Sequence, residues 1–155
     1  MRKNLLMKKA TTKIKRPEQT TQIGVFSHLT PLMAAHRHKK FLAFHYPAGG
    51  GRSGAEAGIL KAMGTMSGVA DIIILLDGGK TVFVELKLRT MVLCKRGPLK
   101  GQMVAKCTEQ SDDQILFMDR VRALGFPYHL VEATDISDAL NKILDIIKTE
   151  GGFEW

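Results

Sequence analysis

The sequence predicts an α/β fold, a mixed β-sheet flanked by helices. Two apolar segments, Asp71 to Leu76 and Thr81 to Leu88, are joined by Asp77-Gly78-Gly79-Lys80, a strong hairpin signal. Segments with apolar residues at helical spacing stand on both sides of this hairpin, interleaved with the strand-like runs Phe41 to His45 and Tyr128 to Ala133. The chain has 155 residues, enough for one domain that buries its own core.

Residues 1–16 form a basic N-terminal tail. Pro17 and Glu18 suit a first helical turn, after which Ile23, Phe26 and Leu29 recur at helical spacing. Pro31 is expected to kink or end that helix, with Leu32 to His36 as a second piece. The short strand Phe41 to His45 leads into a loop, Tyr46 to Gly51, and Ser53 and Glu56 have the spacing of a capping box that opens a short helix ending at Gly64. The hairpin follows. Ser111 is placed to cap a helix with apolar positions Ile115, Met118, Val121 and Leu124 that ends before Gly125. The strand Tyr128 to Ala133 comes next, and Ile136, Leu140, Ile143 and Ile147 mark a final helix. The expected division is the tail, a domain over 17–150 carrying a basic insert at 89–109, and a C-terminal tail over 151–155. The insert contains Gly97-Pro98 and Gly101 and is long for a connection, so it is expected to be mobile.

Composition excludes several classes. An apolar fraction of 45% and a charged fraction of 25% match ordinary globular proteins rather than disordered or fibrous ones. The longest apolar run, Ile72 to Leu76, is too short to cross a bilayer, and the Leu5-Leu6-Met7 patch is shorter than a secretory hydrophobic region. A cytoplasmic location is therefore expected, with no membrane partner. Cys94 and Cys107 fit neither a zinc pattern nor a disulfide framework and read as free thiols; His28, His45 and His129 lack the paired spacing of zinc ligands.

The net charge is +8. It is concentrated in the tail, which includes Lys13, Lys15 and Arg16, and in the stretch with Arg89, Lys95, Arg96 and Lys100, where no acid intervenes. Together with Arg52 these residues are the candidate contacts to a nucleic-acid backbone, where they would neutralise phosphates and release counterions. A solvated tail and loop would have the same composition.

Alternation along the second hairpin segment places Val82, Val84, Leu86 and Leu88 on one face and Thr81, Phe83, Glu85 and Lys87 on the other. Glu85 and Lys87 thus share a face, and Asp71 opens the strand paired with theirs. Phosphodiester hydrolysis needs a divalent cation to offset charge on the scissile phosphate, and two carboxylates supply the hard oxygens that suit magnesium. A neighbouring lysine can orient water or stabilise the transition state. An even-numbered loop would place Ile72 opposite Glu85 and turn Asp71 away, whereas an odd loop or a bulge brings Asp71 to the Glu85 and Lys87 face. Alone, the trio equally describes a surface hairpin with an ion pair of little energetic value.

The motif Gly68-Val69-Ala70-Asp71 followed by Val84-Glu85-Leu86-Lys87 resembles the signature of the VRR-NUC family, a branch of the PD-(D/E)XK nuclease superfamily. The resemblance runs from about Glu18 to Ile147 and includes the Pro47 to Ser53 loop, the Ala55 to Gly64 helix and Gln114 at the start of the next helix. It implies a restriction-endonuclease-like fold and a Mg2+-dependent DNA endonuclease that accepts Mn2+. It places Asp71, Glu85, Lys87 and Gln114 at catalytic positions, with Asp71, Glu85, the Leu86 backbone carbonyl and Glu18 as metal ligands. It also implies branched DNA as a substrate, as for Holliday-junction resolvases, a homodimer, and the cytoplasm of a bacterial or virus-infected host cell. Ala48 stands where the family has asparagine, and the 89–109 insert is longer than the family pattern. A non-catalytic nucleic-acid-binding module of the same fold, or an RNA endonuclease, are the alternatives.

Overall fold

The computed structural model describes residues 17–35, 40–47 and 54–152. Lys13, Lys15, Arg16, Arg52, the proposed Ser53 cap and most of the glycine-rich loop lie outside these residues. The order is α1 (Pro17–Ala35), β1 (Phe41–His45), α2 (Gly54–Ala62), β2 (Ile72–Leu76), β3 (Thr81–Leu93), β4 (Met103–Cys107), α3 (Asp112–Ala123), β5 (Tyr128–Ala133) and α4 (Ile136–Gly151). Among the described residues no helix is long and apolar enough to cross a membrane.

The sheet is mixed and open, and β3 is its centre. β1 pairs antiparallel with β2, and β2 antiparallel with β3 from Ile72↔Val84 to Leu75↔Thr81. β5 runs parallel to β3 from Phe83↔Tyr128 to Leu88↔Ala133, and β4 pairs antiparallel with its distal half from Arg89↔Cys107 to Leu93↔Met103. A strand covered on both faces reads as a continuous rather than alternating buried run, which is the pattern of β3 from Val84 to Leu88.

One face of the sheet packs Ile72, Ile74, Val82, Val84 and Leu86 against Val25 and Leu29 of α1 and Ala139, Ile143 and Ile147 of α4. On the other face Phe83 and Tyr128 meet Phe117, Met118 and Val121 of α3, with the Phe83 and Phe117 rings edge to face at 5.6 Å between centroids.

Expectations for α1, for α3 and for the insert are corrected. α1 continues through Pro31 to Ala35; Pro31 is exposed, so the backbone acceptor it leaves unbonded can turn to water. Its buried stripe is Thr21, Val25 and Leu29, one residue in four, while Ile23 is 64% exposed. In α3, Phe117 and Val121 face the sheet, whereas Ile115 and Leu124 are exposed, because the capped turn orients Gln114 inward and the stripe follows it at positions 117, 118 and 121. The 89–109 insert contains strands: β3 runs on through its β-branched and apolar residues and returns as β4.

Candidate active site

The turn between β2 and β3 decides which side chains meet. Leu76 N–H donates to the Lys80 carbonyl at 2.8 Å, enclosing Asp77, Gly78 and Gly79 as a three-residue loop. Gly78 and Gly79 have φ of 79° and 81°, a region that strains residues with a Cβ. The loop is odd, and the Ile72↔Val84 register, continued by one residue, sets Asp71 opposite Glu85. Asp71 Oδ2 accepts a hydrogen bond from Leu86 N–H at 2.9 Å, so the carboxylate sits against β3 where β2 has not yet begun. In an extended strand the N–H and C=O of one residue project to the same side, so the Leu86 carbonyl leaves β3 at the same edge as the N–H that meets Asp71.

Glu85 is fully buried and Lys87 is 5% exposed. Lys87 Nζ lies 3.0 Å from Glu85 Oε1, so this is not the surface pair that the spacing also allowed. Gln114 joins the two: its Nε2 donates to Glu85 Oε1, and its Oε1 accepts from Lys87 Nζ at 3.0 Å. The same Oε1 accepts from Ser111 N–H at 2.9 Å, while Ser111 Oγ accepts from Gln114 N–H at 3.3 Å. A capping box at the start of α3 thereby fixes the side chain that bridges the site. Gly68 lets the loop before Asp71 lie on that turn, because a Cβ there would sit 2.2 Å from the Asp113 carbonyl oxygen.

Burial, reinforced by the Asp71 charge, pushes the Glu85 pKa from 4.5 up to about 7 against the opposing effect of Lys87. The Asp71 carboxyl is also raised, chiefly by burial, with the Leu86 N–H bond and Lys87 acting the other way. Glu18 adds to both shifts by repulsion, which brings a third carboxylate into the same field. Its Oε1 is buried and has no hydrogen-bond partner among the described residues. An unpaired buried oxygen is costly and calls for an explanation such as an ion.

Three further residues belong here that sequence reasoning missed. Gln22, one turn beyond Glu18, donates to the Asp71 carbonyl at 3.0 Å, and His45 Nδ1 lies 2.8 Å from the same oxygen. Tyr128 donates to Glu85 Oε2 at 3.5 Å, and burial with the nearby carboxylates holds its hydroxyl protonated above the usual range. The i to i+4 spacing of Glu18 and Gln22 was visible in the sequence. The positions of His45 and Tyr128 follow only from the strand pairings.

An open cleft of about 1000 Å³ lies over this cluster, lined by Glu18, Gln22, His45, Asp71, Thr108 and Gln114 among others. Glu85 and Lys87 do not line it; they connect to it through Gln114. Among the described residues no three His, Cys, Asp or Glu side chains form a ready metal-binding group. Magnesium, however, keeps several waters and is commonly bound through one or two carboxylates. The hard-oxygen donors and the orphaned Glu18 oxygen are compatible with such an ion.

Of the candidate backbone-binding residues, Arg89 is paired with Glu132 at 2.5 Å. Lys95, Arg96 and Lys100 are exposed in the turn after β3. No family model, curated protein or solved structure matches the chain.

Proposed function

We propose that this chain is a metal-dependent nuclease hydrolysing phosphodiester bonds in DNA, a divergent VRR-NUC-like protein with a restriction-endonuclease-like arrangement of its α/β fold. The observation that supports this most is the convergence of Asp71, just before β2, with Glu85 and Lys87 of β3 beneath a cleft bordered by a Glu18 oxygen that has no partner among the described residues. Buried charges that raise one another's pKa are expensive in a purely structural role, and such clusters favour functional sites.

Asp71, Glu85, the Leu86 carbonyl and Glu18 would hold Mg2+, with Mn2+ as a substitute. The ion would supply charge neutralisation at the scissile phosphate and a more acidic water. Asp71 is oriented by Leu86 N–H on its carboxylate and by Gln22 and His45 on its carbonyl. Lys87 provides positive charge beside Glu85 for the developing phosphate charge, and Gln114 sets the direction of both side chains.

A second reading is a non-catalytic nucleic-acid-binding module. It is favoured by the absence of Glu85 and Lys87 from the cleft lining and by their closed network with Gln114. The deciding experiment incubates the chain with branched, duplex and single-stranded DNA and with RNA, in magnesium or chelator, beside Asp71→Ala and Lys87→Ala. Magnesium-dependent DNA products from the unaltered chain, reduced by about 100-fold or more in each variant, are expected. Binding without cleavage of any substrate would support the module, and cleavage of RNA alone would replace DNA as the substrate. Branched DNA and a homodimer are carried by the resemblance alone.

A further inference from the structure

Beyond Leu88, β3 leaves the sheet's centre and runs on to Leu93, returning as β4. The two strands and their turn make a two-stranded ribbon rooted at Leu88 and Thr108, where Thr108 N–H donates to the Leu88 carbonyl at 3.3 Å and both residues line the cleft. Cys94 N–H donates to the Gln102 carbonyl at 2.9 Å, and Gly101 N–H to the Cys94 carbonyl at 2.8 Å, closing the turn. The turn carries Lys95, Arg96 and Lys100, and Lys106 stands opposite Thr90 on the ribbon. Among the described residues none of these four pairs with a carboxylate, unlike Arg89. No acidic residue occurs from Arg89 to Thr108.

A ribbon of this kind has too little core to be stabilised by itself, and its positive charge has no counterpart within its own sequence. We infer, resting on the nuclease reading for the position of the scissile bond, that the ribbon is a DNA-binding arm lying along the major groove of a B-form duplex. Lys95, Arg96, Lys100 and Lys106 meet backbone phosphates, while the Glu132 ion pair holds Arg89 at the arm's root. The major groove of B-DNA is about 12 Å wide and admits a two-stranded ribbon, whereas the major groove of A-form RNA is too deep and narrow.

The six residue steps from Leu88 to Cys94 span about 20 Å at strand rise. At 3.4 Å per base pair the arm tip reaches about six base pairs from its root. Because the arm extends from one wall of the cleft, the footprint is one-sided. A protein partner on the exposed Met91, Leu93 and Met103 side chains is the competing occupant.

The test is fluorescence anisotropy in chelator, comparing the full chain with K95Q/R96Q/K100Q on DNA duplexes of about 30 and about 8 base pairs over a salt series. The triple variant is expected to bind the long duplex about tenfold or more weakly at low salt. Its slope of log affinity against log salt should fall by about 2.7, or 0.9 for each phosphate contact. A duplex of about 8 base pairs centred on the cleft extends only about four base pairs towards the tip, so the difference should shrink on it, and it should also be smaller on long duplex RNA. Lys106→Gln, within the ribbon body, should lower the slope by about 0.9. Unchanged circular dichroism and sedimentation exclude misfolding and loss of assembly as the cause.

Equal affinity and equal salt slope would overturn the inference, as would an equal loss on long and short duplexes. Lost affinity accompanied by a fall in sedimentation coefficient would also overturn it, assigning the ribbon to a protein interface. Arm-dependent binding by a chain that cleaves nothing would sink the nuclease reading alone. Cleavage with arm-independent binding would sink the arm alone.

Discussion

Glu85 is fully buried, and burial with the neighbouring Asp71 charge raises its pKa from 4.5 to about 7. Between those values the folded chain retains a proton that the unfolded chain releases. Its stabilising contribution is therefore complete below about pH 4.5 and is lost as pH rises through about 7, a change of up to about 3 kcal/mol. Metal-free protein should lose thermal stability between about pH 5 and pH 8, and Glu85→Gln should flatten that dependence in parallel melting curves. Asp138 and Glu150, whose carboxyls are lowered by Thr134 N–H and by Lys80 respectively, contribute mainly below this window. Asp71, Glu85 and Lys87 were legible because strand alternation fixes their faces once the loop is odd. His45 and Tyr128 were not, since an isolated side chain at a strand end acquires its neighbour only through pairing with a remote segment.

The first turn of α3 is the element that couples folding to the site. Ser111→Ala removes a cap and should cost about 1 kcal/mol in denaturant unfolding, with a smaller effect on cleavage because Gln114 keeps its side chain. Gln114→Ala should do the opposite in rate measurements, lowering cleavage by about 10-fold to 100-fold through loss of the Glu85 and Lys87 bridge. Gly68→Ala should lower stability by about 2 kcal/mol or more and cleavage as well, because φ is +73° and the added carbon would strike the Asp113 carbonyl. Urea unfolding and cleavage rates check all three. Ser111 as a cap was legible in the sequence, whereas its reciprocal bond with Gln114 appears only in the folded turn. That Gly68 lies on α3 was not legible, because the approach joins segments more than forty residues apart. The ribbon was hidden for another reason: Gly97-Pro98 and dense positive charge read as a loop, yet the short runs Met91 to Leu93 and Met103 to Ala105 pair across them.

At the scale of the folded chain, three carboxylates in one electrostatic field predict a response to divalent cations. Magnesium should raise the melting temperature, by about 2.7 kcal/mol of stability at one hundred times its dissociation constant. Asp71→Asn should remove most of that gain. The α/β class was readable from periodicity, because one central hairpin and three helical stripes leave few ways to bury their apolar faces. Which end of the sheet bears the site was not, since it depends on where β2 starts relative to β3. Anomalous difference density from crystals soaked in Mn2+ would locate the ion proposed to bridge Asp71 and Glu85. A peak about 2.1 Å from oxygens of both Asp71 and Glu85 is expected. Density at another place in protein that cleaves DNA, or none at a saturating concentration, would contradict that bridge.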